Sequence, residues 1–403
     1  MEARTDTIRA RAAAAAAARP AATAFAGVFA ACLLTFLGLG CVLPVLPPYV
    51  KGPIGSTDLA VGLVTGSFAF TAVVCRPLGG RLADARGRRR VVVLGALLSS
   101  LAGLLYLVPL GVPGLVFARL VLGAGEGLVF TAGAAWTVDL APEATRGRAI
   151  GLFGLSIWGA LTAGPLLGQV LLDAAGYDAV WALAAAAPLA GALVARALPE
   201  SPAPPRPEAP GPLVAREALR PGISLSLAAM GQAAFAGFIV LHLQDRGIGH
   251  GAAVFTAFGA AVVGTRIFAG RLPDAVGARP TAAGAALCEA CGLATIALAH
   301  TLPVALAGAV VMGFGFSVLF PSLALMVVNQ AGDARRGAAL GTFTAFFDIG
   351  MGAGALVAGA VASGAGYPGA FWVAAGAAAV GGVLIAAGTD RARRLAGEVG
   401  WPP

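Results

Sequence analysis

The sequence predicts an all-α membrane protein whose twelve transmembrane helices form two pseudo-symmetric six-helix bundles. Three observations predict it: an apolar composition, twelve apolar runs of membrane-spanning length, and a repeat at a constant offset of 190 residues. Of the 403 residues, 58% are hydrophobic and only 11% charged. So little polar surface cannot cover a water-soluble globule of this size.

A helix needs about 20 apolar residues to cross a hydrocarbon core roughly 30 Å thick. Such runs fall at 22–46, 59–79, 91–110, 114–138, 149–172 and 179–195, then at 222–243, 250–269, 281–301, 303–329, 338–362 and 369–388. They are rich in Gly and Ala, which let helices approach closely in lipid. The alternation that marks barrel strands is missing. The expected organisation is a cytoplasmic tail over 1–21, a first bundle over 22–197, a Pro-rich linker over 198–220, a second bundle over 221–389 and a tail over 390–403. The linker contains PESPAPPRPEAPGP, half of it proline, which suits neither a helix interior nor a buried strand.

Arginines sort by loop. Those between spans 2 and 3, 4 and 5, 6 and 7, 8 and 9, and 10 and 11 fall on the side of the termini, while the opposite side carries only Lys51 and Arg246. By the positive-inside rule both termini are expected in the cytoplasm of a multi-pass protein of the cell (inner) membrane. The net charge of +8 then reports topology rather than nucleic-acid binding. Cys32, Cys41, Cys75, Cys288 and Cys291 all fall inside spans, and the Cys288/Cys291 pair reads as small-residue packing rather than a metal site.

The repeat aligns RPLGGRLADARGRR at 76–89 with RIFAGRLPDAVGAR at 266–279. The same offset sets Gly123, Gly125 and Phe130 against Gly313, Gly315 and Phe320, and Gly176-Tyr177 against Gly366-Tyr367. Parallel repeats of six helices place a solute path between the halves.

The loop from Gly80 to Arg90 resembles the signature between spans 2 and 3 of the major facilitator superfamily, and the resemblance runs from span 1 to span 12. It implies that fold, and a role as conformational latch for Gly80, Asp84, Gly87, Arg88 and Arg89, with Gly270, Asp274, Gly277 and Arg279 as the repeated set. Physically, glycine permits close approach and the carboxylate can face a neighbouring helix N-terminus. Arg119 with Gly123, Gly125 and Gly127 is similar to the family's intramembrane arginine motif linked to proton transfer. Gly151 and Gly164-Pro165-Leu166-Leu167-Gly168 are similar to the antiporter motif of its drug:proton exporters, although Ala160 and Gln169 stand where that pattern has glycine. A Gly/Pro kink without directional meaning is the other reading.

Charges deep in a bilayer cost about 2.5 to 3.5 kcal/mol each on the insertion scale. Glu126 and Asp348 fall near mid-span, and neither they nor Arg119 have a like residue 190 positions away, where Phe316, Trp158 and Ala309 stand. Asp348, Glu126 and Arg119 are therefore the candidates for proton coupling, against the alternative of neutral packing carboxyls or a Glu126/Arg119 pair. Arg76 and Arg266, which repeat, read as scaffold or gate residues. The resemblance implies that span 9, with Glu289, lies at the periphery of the bundle; His242, His250 and His300 fall toward the far side, and Thr131 and Gln232 are expected in the substrate cavity.

Three scattered histidines exclude an HExxH enzyme, and a single lysine in a loop excludes a Walker A pump. No enzyme activity and no cofactor are expected. The expected function is secondary active transport by alternating access, as proton-coupled export of a small hydrophobic or amphipathic compound. Proton-coupled uptake or facilitated diffusion of a metabolite is the alternative within transport, and a membrane sensor or scaffold the alternative outside it. The expected partners are the small-molecule substrate, protons and the lipid bilayer, with no nucleic acid and a monomeric chain.

Overall fold

The computed structural model describes residues 23–142, 145–201, 215–270, 272–331 and 336–387. The expected tails at 1–21 and 390–403, and most of the Pro-rich linker, lie outside them. The described residues are almost wholly helical, and ten helices are long and apolar enough to cross a membrane. Two of these are double. Arg146–Ala197 breaks at Gly176 (φ 78°) and Arg336–Ala386 breaks at Gly366 (φ 71°). Only glycine adopts such a φ without steric cost, so each break is written into the sequence. The ten helices thus supply the twelve spans, and the two breaks stand 190 residues apart.

In the first half, span 1 comprises residues 23–42 and the short helix Leu46–Lys51. Asp58–Arg86 is span 2, Arg88–Tyr106 span 3 and Gly111–Leu140 span 4, with 146–175 and 177–197 as spans 5 and 6. In the second half, Leu219–Asp245 is span 7, Gly251–Phe268 span 8, Ala278–Ala297 span 9 and Leu302–Gln330 span 10, with 336–365 and 367–386 as spans 11 and 12. Many large apolar side chains, including Phe70, Leu104, Leu193, Phe268 and Val383, are exposed, as a lipid-facing surface requires.

The halves meet along two seams, span 2 against span 11 and span 5 against span 8. Packing is uneven along these seams. At the end away from the arginine-rich loops, one apolar core draws Val42, Val45 and Val61 from the first half together with Phe238, Ile239 and Phe371 from the second. At the arginine-rich end the cores are separate, one around Val28, Val92 and Trp136 and the other around Leu225, Leu323 and Phe343. The molecule is therefore closed at the far end and parted at the basic end.

Closure at the far end is also polar. Lys51 Nζ lies 2.9 Å from Asp58 Oδ1, and the Tyr367 hydroxyl donates to the same oxygen at 3.1 Å. Asp58 begins span 2 and Tyr367 begins span 12, so this contact joins the two halves.

Candidate functional site

Each seam carries an intramembrane arginine, Arg76 of span 2 and Arg266 of span 8. Asp348 in span 11 is completely buried and faces Arg76 of span 2 across the boundary between halves. Arg76 Nη2 donates to Asp348 Oδ1 at 3.1 Å, and Nε approaches Oδ2 at 2.7 Å but off the N–H axis. The guanidinium also lies over the Phe130 ring, 4.4 Å from its centre. Arg76, read from the repeat as a scaffold or gate residue, is thus the partner of the carboxylate that breaks the repeat. Sequence reasoning missed this because it compared Arg76 only with Arg266.

Arg119 is held elsewhere. Its Nε and Nη2 donate to the Val64 and Thr65 carbonyls of span 2 at 3.3 and 3.0 Å, and it lies over Phe68 at 4.8 Å. It forms no direct ion pair with Glu126 among the described residues, which sets aside the alternative of a Glu126/Arg119 contact pair. Seven residues along a helix is nearly two turns, about 10 Å of rise, too far once the arginine is tied to a neighbouring helix. Arg119, with Leu43, Leu46, Pro47 and Thr65, lines a narrow recess with room for about one water molecule, which Ala236 closes from the second half. Glu126 is buried, its Oε1 without a hydrogen-bond partner, within electrostatic reach of Arg119, Arg76 and Asp348.

The expected cavity residues separate. Thr131 sits against Gly80, in the span 2/span 4 seam of the first half. Gln232 is buried with a free Nε2, on the helical stripe of Ala229, Ala233 and Ala236 that meets span 2 and the recess. Glu289 is not peripheral. It is fully buried inside the second half, both oxygens unpartnered, with Oε1 directed at the space left by Gly231 of span 7. His242 is likewise no exposed loop residue: it is buried at the end of span 7, Nε2 3.0 Å from the Ile296 carbonyl.

The loop from Gly80 to Arg90 forms a compact polar knot within the first half. Arg88 pairs with Asp84 and, at 3.1 Å, with Asp139 at the end of span 4, which also accepts from Ser201 at 3.0 Å. Gly87 adopts φ 97° with the Glu200 carboxylate packed against its bare Cα, and the Arg89 amide donates to Glu200 Oε1 at 2.8 Å. Asp84 pairs with Arg88, the first residue of span 3, and so stands at that helix's N-terminal end. The second half keeps the turn, with Gly277 at φ 99°, and Arg279 donates to the Ile385 carbonyl at 2.7 Å. It drops the ion pairs, since Ala278 and Asn329 stand where Arg88 and Asp139 do, and Asp274 is exposed.

A pair of overlapping matches to the family model described as Major Facilitator Superfamily covers residues 28–253 and 222–398, nearly the whole chain. The chain belongs to the Major Facilitator Superfamily. As a membrane transporter of that family it is 33% identical, over 84% of its length and 90% of the relative's, to an uncharacterized MFS-type transporter of Salmonella typhimurium. The fold is similar to that of the nucleoside transporter NupG (TM-score 0.76, 15% identity, 90% of this chain and 99% of that one). It is also similar to that of the human organic anion transporter TETRAN (TM-score 0.71, 20% identity, 91% and 99%).

Within this major facilitator fold, the span 5 motif divides into two parts. Gly164 and Gly168 press against the backbone of Gly40 and Cys41 in span 1, so closely that a Cβ on either would collide with main-chain atoms. Gly151 is exposed with nothing within 4 Å of where its Cβ would be.

Proposed function

We propose that the protein is a proton-coupled exporter of small hydrophobic or amphipathic compounds, with its arginine-rich end in the cytoplasm and its path alternately opened to the two sides. The observation that carries this reading is the buried Arg76–Asp348 pair across the boundary between halves, with Glu126 lying within its field. A carboxylate that holds an arginine of the other half gives up that arginine when protonated, because a neutral carboxyl no longer repays guanidinium desolvation. Proton binding at Asp348 thereby loosens one seam, which is the link between a proton and a conformational change that coupling requires. Glu126 acts as the neighbouring acceptor, and Arg119 of span 4, held by span 2 carbonyls, fixes the polarity of the recess.

Export is supported by the Gly164/Gly168 contact with span 1, the part of the span 5 motif that the drug:proton exporters share. The Arg88 knot and the Gly87 turn act as the latch at the cytoplasmic end, standing open here because Asp84 is occupied within its own half. The test is flux in inside-out vesicles under an imposed pH gradient, over a panel of amphipathic compounds. Wild type is expected to accumulate a panel member only while the gradient persists; Asp348→Asn is expected to abolish accumulation and Glu126→Gln to reduce it. Accumulation that survives dissipation of the gradient overturns the coupling, and gradient-driven movement in the opposite direction favours uptake.

A further inference from the structure

The 190-residue repeat relates Arg76 to Arg266 and Asp348 to Trp158, and each arginine sits against the residue that the repeat assigns to the other half. On the span 2/span 11 seam this yields an ion pair. On the span 5/span 8 seam it yields only a cation over a ring, Arg266 lying 5.7 Å from the Trp158 centre. No ion pair or hydrogen bond reaches the Arg266 guanidinium among the described residues, and its Nε is shielded without a partner. The fold therefore places two equivalent guanidinium groups between the halves and supplies a carboxylate to one.

We propose that Arg266 and Trp158 form the anion-recognition site for the transported compound, which is an aromatic or otherwise apolar carboxylate whose charged group takes the place that Asp348 fills on the other seam. This rests on the export reading and narrows its substrate class. Three observations converge. First, an unpaired guanidinium in a low-dielectric setting gains most from an anion that arrives with the ligand, and a planar carboxylate matches its fork. Second, the surroundings suit an apolar body: Trp158 packs edge-on to Phe258 and Phe316, and Phe316 leads to Phe347 at 6.2 Å. Trp158 and Phe347 are both only half-buried, packed at the edge of the apolar core that joins the halves. Third, among the described residues the two seams set Arg76 and Arg266 against Asp348 alone, an excess of one positive charge even with that carboxyl ionised. An anionic cargo neutralises that excess.

Equilibrium dialysis of the purified full chain tests this with 1-naphthaleneacetate and its neutral isostere 1-naphthaleneacetamide, and with 4-phenylbutyrate and 4-phenylbutyramide. Wild type is expected to bind at least one acid about tenfold or more tightly than its amide, the scale of a charge-assisted hydrogen bond. Arg266→Gln is expected to erase that preference and Arg266→Lys to retain part of it. Trp158→Asp places the repeat-related acid beside Arg266 and is expected to erase the preference as well, whereas Trp158→Phe keeps it. Equal binding of acid and amide by wild type in both pairs, or an acid preference that survives Arg266→Gln, overturns the proposal. Should Arg266→Gln fail to remain monodisperse, Trp158→Asp decides, and an undiminished preference there overturns it equally. Binding is read without a gradient, so an intact acid preference beside gradient-independent flux sinks the coupling and leaves the anion site standing.

Discussion

Arg76 of span 2 holds Asp348 of span 11 by a pair of contacts at 3.1 and 2.7 Å, and this ion pair between halves has a pseudo-symmetric twin that is not an ion pair. Trp158 occupies in the first half the place that Asp348 occupies in the second, so one seam is neutralised internally and the other is not.

Removing one member of the buried pair strands the other. Arg76→Gln is expected to destabilise the purified protein by about 3–5 kcal/mol, while the double variant Arg76→Gln/Asp348→Asn recovers most of that loss. Thermal unfolding of the four proteins in one detergent measures the cycle. Additive effects of the two substitutions would show that the contact carries no stability.

Glu289 has no counter-charge and no hydrogen-bond partner for either oxygen among the described residues. Its buried carboxyl costs roughly 1–3 kcal/mol for lack of a partner. Glu289→Leu, of similar volume and without polar atoms, is expected to raise the melting temperature, and Glu289→Ala to lower it by opening a cavity beside Gly231. A fall with leucine as large as with alanine would point to an interaction of the carboxyl that supports the fold.

The two parts of the span 5 motif are expected to respond differently. Gly168→Val drives a branched side chain into the Cys41 carbonyl and is expected to abolish transport or expression, whereas Gly151→Ala meets open space and leaves both intact. Surface expression followed by flux separates the outcomes. Equal sensitivity at both positions would mean that the motif acts through something other than helix approach.

At the far end, Tyr367→Phe deletes one hydrogen bond between the halves, a change of about 0.5–1.5 kcal/mol in favour of opening. Cysteines placed in the far-end core at Val45 and Phe238 are expected to label faster from that side when the Tyr367→Phe substitution is also present. Unchanged labelling would leave the seal to the apolar core alone.

The spans were legible because water-free crossing needs long apolar runs, and the two glycine breaks were legible because Gly176-Tyr177 and Gly366-Tyr367 repeat as a pair. The contacts between halves were hidden by the same repeat, since an offset of 190 aligns like with like, whereas the seams join span 2 to 11 and span 8 to 5. A signal existed all the same: Arg76 lies 18 residues after Asp58, where span 2 begins, and Asp348 lies 18 residues before Gly366, where span 11 ends, so both sit at one depth. Glu289 was misplaced for a different reason. The place of a helix in the bundle does not say what its side chains meet, and the approach of Glu289 to Gly231 of span 7 is displayed only by the packed structure.

The break at Gly366 joins spans 11 and 12 with almost no intervening loop, so Asp348 and Tyr367 belong to one stiff hairpin, and their partners Arg76 and Asp58 belong to one helix. The two bonds are about 27 Å apart along span 2 at 1.5 Å per residue. They form the ends of a lever: releasing Arg76 from Asp348 frees the middle of the seam while Tyr367 still pins its far end. With Tyr367 still bound to Asp58, the motion expected of the hairpin is a pivot about Asp58 rather than a slide, the loss of one short contact becoming the swing of a whole bundle.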